Sequence, residues 1–238
     1  MSATDRVGLG AARPSGIGDL LVSSRSLDEY RAMFGLTEAD LGLRILDCPG
    51  GAAGFTAALA ARGGVVQACD PVYGWEPDDL VRRAEADLRR AGEYVRRHPE
   101  EYAWSFFADP ADHAARRAAS GALFERDYRA HRERYVEAAL PVLPFTDGAF
   151  DLVLSSHFLF SYADRFDLAF HAAALAEMIR VSTGDVRVYP VFAMGAAPLL
   201  DLGPLEALLA ERGITTSLVE VTYQFQRGDP VMLVCRRA

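Results

Sequence analysis

Short apolar runs alternate along this chain with longer stretches in which apolar residues return every third or fourth position, the pattern of strands alternating with helices. Residues 43–46 read as a short buried strand that delivers Asp47, and "VVQAC" as a second that delivers Asp70. "YVEAAL", from Tyr135, resumes a strand-like run, "FDLVLSS" is a fourth strand and "DVRVYPVF" a fifth. "TTSLVEVTYQF", the turn "QRGDP" and "VMLVCRR" predict a closing hairpin.

Helices fill the gaps. In "SLDEYRAMFGL" Ser26 is an N-cap with Glu29 placed to complete a capping box, and Gly35 ends the helix. "FTAALAAR" is helical up to Gly63-Gly64, and further helices are predicted over 166–181, ended by Thr183-Gly184, and over 205–212. Residues 77–97 form a long amphipathic helix with Leu80, Val81, Ala84, Leu88, Ala91 and Val95 along one face. The spacings Asp79–Arg83, Glu85–Arg89 and Glu93–Arg97 predict i,i+4 pairs on its solvated face. The stretch that follows, up to Arg134, reads as more helix, broken at Pro110 and Gly121.

Strand, Gly-rich turn, helix, strand is a βαβ unit, and it implies a parallel sheet. The connection between the second and third strands, about 76–134, is too long for one ordinary crossover. It reads as a helical insertion with "YAWSFF" as its aromatic centre, either a lid over a ligand site or a helical pair packed on the sheet.

Composition removes several classes. The 238 residues suit one globular domain, 26–238, behind a small, polar, Gly-rich segment, 1–25, expected to be flexible. A net charge of −8 disfavours a surface that tracks nucleic-acid phosphates. The chain has no lysine, which excludes Schiff-base, pyridoxal-phosphate and P-loop chemistry. Cys48, Cys69 and Cys235 have no C-x-x-C spacing, so reduced cysteines and a cytoplasmic location are expected. Neither a secretory signal nor a membrane-spanning run is expected. The histidines show no zinc-site spacing, so no metal is expected.

Parallel sheets bind ligands beyond the carboxyl ends of their strands. Three predicted strands deliver Asp47, Asp70 and Ser155-Ser156-His157 to that edge, beside Gly50, Gly51 and Gly54. An acid placed like Asp70, about 20 residues beyond a Gly-rich turn, commonly accepts the two ribose hydroxyls of a nucleoside. A dinucleotide pyrophosphate fits poorly, because Pro49 stands where the first fingerprint glycine would be and Asp47 would repel the anion. Asp47 would instead welcome an ammonium or sulfonium, which disfavours an NAD-linked oxidoreductase.

In this order and spacing, "ILDCPGGAAGF", "VVQACD" and "LPFTDGAFDLVLSSHFLF" resemble successive motifs of the class I S-adenosylmethionine-dependent methyltransferases. The resemblance, over about 44–192, implies a three-layer Rossmann-like α/β methyltransferase fold. Its sheet would be seven-stranded and mostly parallel with an antiparallel last strand, here with the helical insertion added. It implies S-adenosyl-L-methionine as cofactor, held by Asp47, Cys48, Pro49, Gly50, Gly51, Asp70, Pro71, Ala139, Leu140, Ser155 and Ser156. Ala139 falls near the position where many members carry an acid toward the adenine, which leaves backbone or Glu137 for that task. His157 is the candidate base for a protonated acceptor. No "N-P-P-Y" or "D-P-P-Y" string follows the fourth strand, and a small metabolite is the expected acceptor of a monomer or homodimer with no nucleic-acid or membrane partner. A protein of the same fold that holds the cofactor without turnover is the alternative.

Overall fold

Seven strands share one sheet in the order β3-β2-β1-β4-β5-β7-β6 in the computed structural model, which describes residues 20–193, 200–228 and 230–238. The expectation for 1–19 and the place of Asp229 in the closing turn lie outside the described residues. The strands are β1 (Arg44–Asp47), β2 (Val65–Cys69), β3 (Tyr135–Val136), β4 (Phe150–Ser156), β5 (Ser182–Tyr189), β6 (Ile214–Glu220) and β7 (Val231–Arg237). The first five run parallel, and β7 is antiparallel to both β5 and β6.

Alternation along the strands builds the two outer layers. In β4, Val153 points to the face covered by α6 (Leu168–Val181) and α7 (Gly203–Ala210) through Leu175, Met178 and Leu205. Its neighbours Leu152 and Leu154 point to the other face, covered by α1 (Leu27–Phe34) and α3 (Phe55–Ala61) through Phe34, Phe55 and Leu59. Two covered faces are why β4 carries apolar residues in succession. The architecture is the expected mostly parallel, three-layer Rossmann-like methyltransferase fold with an antiparallel last strand. Among the described residues no helix is long and apolar enough to cross a membrane.

The insertion carries α4 (Pro77–Arg97) and α5 (Pro110–Ala130), joined by a 3-10 turn at Pro99–Glu101 and an irregular segment that holds the "YAWSFF" aromatics. Pro110 opens α5 behind the Asp109 N-cap. Gly121 does not break it: His113, Arg117, Ser120, Phe124 and Tyr128 form a buried stripe across the glycine, and packing outweighs a propensity cost of about 1 kcal/mol. Arg83 pairs with Asp87 at 2.8 Å rather than with Asp79, which pairs with Arg82. The other two predicted pairs are present, at 3.7 Å for Glu85–Arg89 and 3.8 Å for Glu93–Arg97.

Thr183-Gly184 does not close α6 with a loop. The chain passes straight from Val181 into β5, where Ser182 pairs with Phe150 across an irregularity in the ladder. A Cβ at Gly184 would lie 2.4 Å from the Asp151 carbonyl, so the glycine serves close strand approach. Pro190 stops β5 early, since it has no N–H for the ladder. The run predicted from Tyr135 pairs only over Tyr135–Val136, and a short α2 (Glu38–Leu41), capped by Thr37, precedes β1.

Candidate functional site

β1 pairs with β2 on one side and β4 on the other, so strand order reverses there, the place where open parallel sheets form a ligand crevice. A cavity of about 370 Å³ opens at this point. Cys48, Pro49, Gly50, Gly51, Asp70, Pro71, Ala139, Leu140, Ser156 and His157 line it. Asp47 and Ser155 do not: both are fully buried behind the wall.

Asp47 lies beneath the Tyr30 hydroxyl, which is 2.9 and 3.1 Å from its two oxygens. Burial pushes the Asp47 carboxyl up to about 8, against the opposing Tyr30 hydrogen bond and with the Asp70 charge adding to the rise. A direct ammonium contact with Asp47 is therefore not what the wall offers. Tyr30 lines the cavity, and its ring is stacked on Phe55 at 4.3 Å.

The turn is glycine-rich chiefly because the protein's own atoms crowd it. A Cβ at Gly50 would lie 2.6 Å from the Tyr73 hydroxyl and 2.8 Å from the Ala68 Cβ. Gly51 has φ +54°, and a Cβ there would lie 3.2 Å from the Ser23 carbonyl. The Ser23 carbonyl accepts from Ala52 N–H at 3.1 Å, which straps Leu20–Arg25 over the turn. These residues were read with the N-terminal segment; Val22 and Ser24 are buried, and Leu21 N–H donates to the Tyr162 hydroxyl at 3.1 Å.

Asp70 is half-buried, with one oxygen accepting from Gly51 N–H and the other from Val72 N–H, each at 3.0 Å. Burial raises its pKa, and these two bonds oppose the rise. Each carboxylate oxygen keeps a second acceptor position free for a ligand hydroxyl.

His157 follows β4 with φ 51°, a conformation uncommon for a side-chain-bearing residue. Its N–H donates to the Tyr189 carbonyl at 2.6 Å, and its Nδ1 lies 3.0 Å from the Ser156 hydroxyl. Burial first, then the Arg25 and Arg117 charges, hold its pKa well below the usual histidine range. The imidazole is neutral and a weak proton acceptor. A second cavity, of about 90 Å³, adjoins the first and shares Arg25, His157 and Tyr162 with it. Sequence reasoning missed Tyr30 and the Leu20–Arg25 strap, neither of which stands in a motif that marks it, whereas Trp75 beside Asp70 and Tyr162 near the end of β4 are wall residues, as their sequence positions suggest.

No protein-family model and no curated protein sequence matches the chain. Solved structures are similar in architecture. A SAM-dependent methyltransferase from Aquifex aeolicus is 16% identical over 88% of each chain, with a TM-score of 0.46. The magnesium protoporphyrin IX methyltransferase ChlM from Synechocystis PCC 6803, solved with bound SAM, is 12% identical over 88% of this chain and 90% of that one, at 0.42. A TehB-like SAM-dependent methyltransferase from Corynebacterium glutamicum is 16% identical over 93% and 90%, at 0.45. At these levels the likenesses say nothing of the acceptor. The strand order and the antiparallel β7 are this chain's own features, and they make it a Rossmann-like methyltransferase fold.

Proposed function

We propose that the chain binds S-adenosylmethionine in the larger cavity and transfers its methyl group to a small-molecule acceptor. The observation that carries this reading is the cavity itself: at the switch point, it joins the Gly50-Gly51 turn and Asp70 on one side to His157 and Tyr162 on the other. Asp70 offers its spare acceptor positions to two ribose hydroxyls, a charge-assisted pair of bonds. The residues after β3, Ala138 to Leu140, supply an apolar wall suited to a flat base, and Trp75 extends it. Tyr30, propped by Asp47, stands on the wall near the turn, with the partly buried Arg25 on the strap above it.

When bound, such a cofactor supplies an electrophilic methyl carbon: the acceptor's lone pair forms the new bond, the carbon–sulfur bond breaks, and its electron pair stays on sulfur. The protein's own task is to position the acceptor and keep water away. His157, the sequence-level candidate base, is neutral and flanked by two arginines, so it suits orientation of the acceptor better than storage of its proton. An acceptor that arrives already anionic needs no base. Calorimetric titration with S-adenosylhomocysteine, followed by transfer of a labelled methyl group to low-molecular-weight acceptors, tests the reading. Binding without transfer to any acceptor would favour a non-catalytic cofactor-binding protein, and absence of binding would end both readings.

A further inference from the structure

The smaller cavity is walled by the insertion on one side, through Leu88, Val95, Tyr102, His113 and Arg117, and by Arg25 and Phe225 on the other. Its charge is opposite to that of the chain as a whole. Asp87 is buried and receives Val22 N–H at 2.9 Å, Arg83 at 2.8 Å and Arg90 at 3.0 Å. Glu29, also buried, receives Arg117 at 2.8 Å, the Tyr223 hydroxyl at 3.0 Å and Ser26 N–H at 3.0 Å. Four arginines thus gather around two carboxylates, each of which already accepts three hydrogen bonds, and only three of the arginines pair with them. Arg25 makes no ion pair among the described residues, and its one side-chain bond is from Nη1 to the Ser23 hydroxyl.

Nitrogen atoms without partners belong to residues that line this space. The Nε atoms of Arg25 and Arg117 and the Nδ1 of His113 are buried and make no hydrogen bond. Arg117 and His113 are each only 5% exposed. A buried donor left unmet costs about 1–3 kcal/mol, so the two Nε–H groups, which can only donate, point to a missing acceptor, and the His113 Nδ1 can join them in its protonated-Nδ1 tautomer. The rest of the wall is mixed: Ser23, Ser24, Asp87 and Gln226 add polar groups, the Gln226 Oε1 also buried without a partner, while Leu88, Val95, Tyr102 and Phe225 give an apolar side on which Phe225 is stacked against the His113 ring at 4.5 Å and against Tyr102 at 4.5 Å. On this measure one water needs about 10–15 Å³, so the cavity has room for a carboxylate and a short apolar body.

We propose that this cavity is the acceptor subsite and that it takes a small organic acid, whose carboxylate accepts from Arg25 and Arg117 and from His113 in its Nδ1–H tautomer, while its apolar body lies against Tyr102 and Phe225. The inference rests on the methyl-transfer reading for the word acceptor, but not for the binding of the acid. Arg25, His157 and Tyr162 belong to both cavities, so an acid held here would present its near end to the cofactor cavity. Arg–carboxylate bonds are charge-assisted and geometrically selective, so an uncharged isostere should be rejected.

The test is calorimetric titration of acetate, benzoate and phenylacetate, each against its amide, into the full chain both free and saturated with S-adenosylhomocysteine. At least one acid is expected to bind about tenfold or more tighter than its amide, the ratio of a single lost charge-assisted contact. Arg25→Met should bring that ratio close to one. So should Glu29→Gln combined with Arg117→Gln, which removes the buried pair without leaving a lone charge, and His113→Phe should reduce it while keeping the ring stack. Because Arg25 also lines the cofactor cavity, the acid-to-amide ratio decides, not affinity alone; should the double variant fail to fold, Arg25→Met and His113→Phe decide. The proposal is overturned if no acid binds, if amides bind as tightly, or if the ratio survives in the variants that fold. Failure of S-adenosylhomocysteine to bind, with the acid preference intact in the free chain, would end the methyl-transfer reading and leave the anion site standing.

Discussion

The two cavities meet at Arg25, His157 and Tyr162, yet they are built by different means. The floor of the larger one is made by the ends of adjacent parallel strands, so those residues come in short consecutive blocks, 48–51, 69–72, 138–140 and 156–158, closed over by the strap, Trp75 and Arg83 of α4. Two acids serve it: Asp70 on its wall and Asp47 buried behind the wall. The smaller is made where α4, α5, the strap over the turn and the residues before β7 converge, and its lining is scattered from Leu21 to Gln226. Its excess charge is positive. One generic crevice of the fold thus adjoins a second space that exists only because of the insertion. The difference teaches where to look for what the fold shares and where for what this chain alone does: strand ends for the first, inserted helices for the second.

The largest separation between the two should come from the turn. Gly51→Val forces a β-branched residue into φ +54° and presses its Cβ onto the Ser23 carbonyl. Strain of about 1–3 kcal/mol, together with displacement of the strap, should weaken S-adenosylhomocysteine binding about a hundredfold. The folded content, read by circular dichroism, should be kept, because the change touches the turn and not the sheet. Normal cofactor affinity in a folded variant would mean that the turn is structural only.

Asp70→Ala should come next. Removing a charge-assisted acceptor for two hydroxyls is expected to cost about 1.5–3 kcal/mol of binding free energy, about ten- to hundredfold in Kd. The same change also frees Gly51 and Val72 N–H, so Asp70→Asn, which keeps one acceptor oxygen, separates the roles. The asparagine variant should retain the turn, shown by an unchanged melting temperature, and still lose affinity. Equal affinity in both variants and the parent would remove the ribose role.

The unequal legibility of the two cavities follows from their construction. Strand ends read well because each short apolar run with period-two packing carries its terminal polar residue to a known edge; Asp70 and His157 could be placed from pattern alone. Asp47 was placed on the right strand end but at the wrong depth, since nothing in "ILDCPGG" tells that Tyr30 covers it. The helices of the insertion were visible as helices, but a helical pattern does not say which arginine turns inward. Arg83 and Arg90 look like members of solvated pairs, and only burial of Asp87 shows that they neutralise it. Arg117 and His113 sit in a stretch whose pattern resembles ordinary amphipathic helix, and Arg25 lies in a segment read as flexible.

A smaller effect concerns Asp47. Its folded pKa of about 8 lies above the 3.8 of an ordinary aspartate, so the folded chain holds a proton that the unfolded chain releases. Stability from this group is therefore greatest at low pH, falls as pH rises from about 4 to about 8, and levels off above that. Asp47→Asn should flatten this part of the pH dependence of the melting temperature. A cationic ligand beside Tyr30 would favour the ionised carboxylate, so cofactor affinity in the parent should rise a few-fold between about pH 6 and pH 8, an increase the asparagine variant lacks. Parallel pH profiles for the two proteins would show that Asp47 does not titrate in this window.

The most delicate comparison uses the two tryptophans, because each stands at a different cavity. Trp75 lines the larger one and is 43% exposed. Trp104 lines neither, but its ring lies 5.8 Å from Phe225 and 6.2 Å from Tyr102, both on the wall of the smaller one. Its indole N–H donates to the Pro99 carbonyl at 3.0 Å, which fixes the ring against that wall. In a Trp104→Phe background, S-adenosylhomocysteine should shift the emission of Trp75 as water leaves its ring. In a Trp75→Phe background, the cofactor product should leave Trp104 nearly unchanged, while an organic acid that reorders Phe225 should move it by a few nanometres at most. A lid that closes on the cofactor would instead move Trp104 when S-adenosylhomocysteine is added to the Trp75→Phe protein, and would slow hydrogen exchange across 94–124. Because the same segment is already packed against Phe225 through Tyr102 and Phe107 and against Tyr223 through Phe106, it should behave as a fixed wall. A Trp104 shift with S-adenosylhomocysteine alone would join the two cavities into one closing unit and undo the distinction between them.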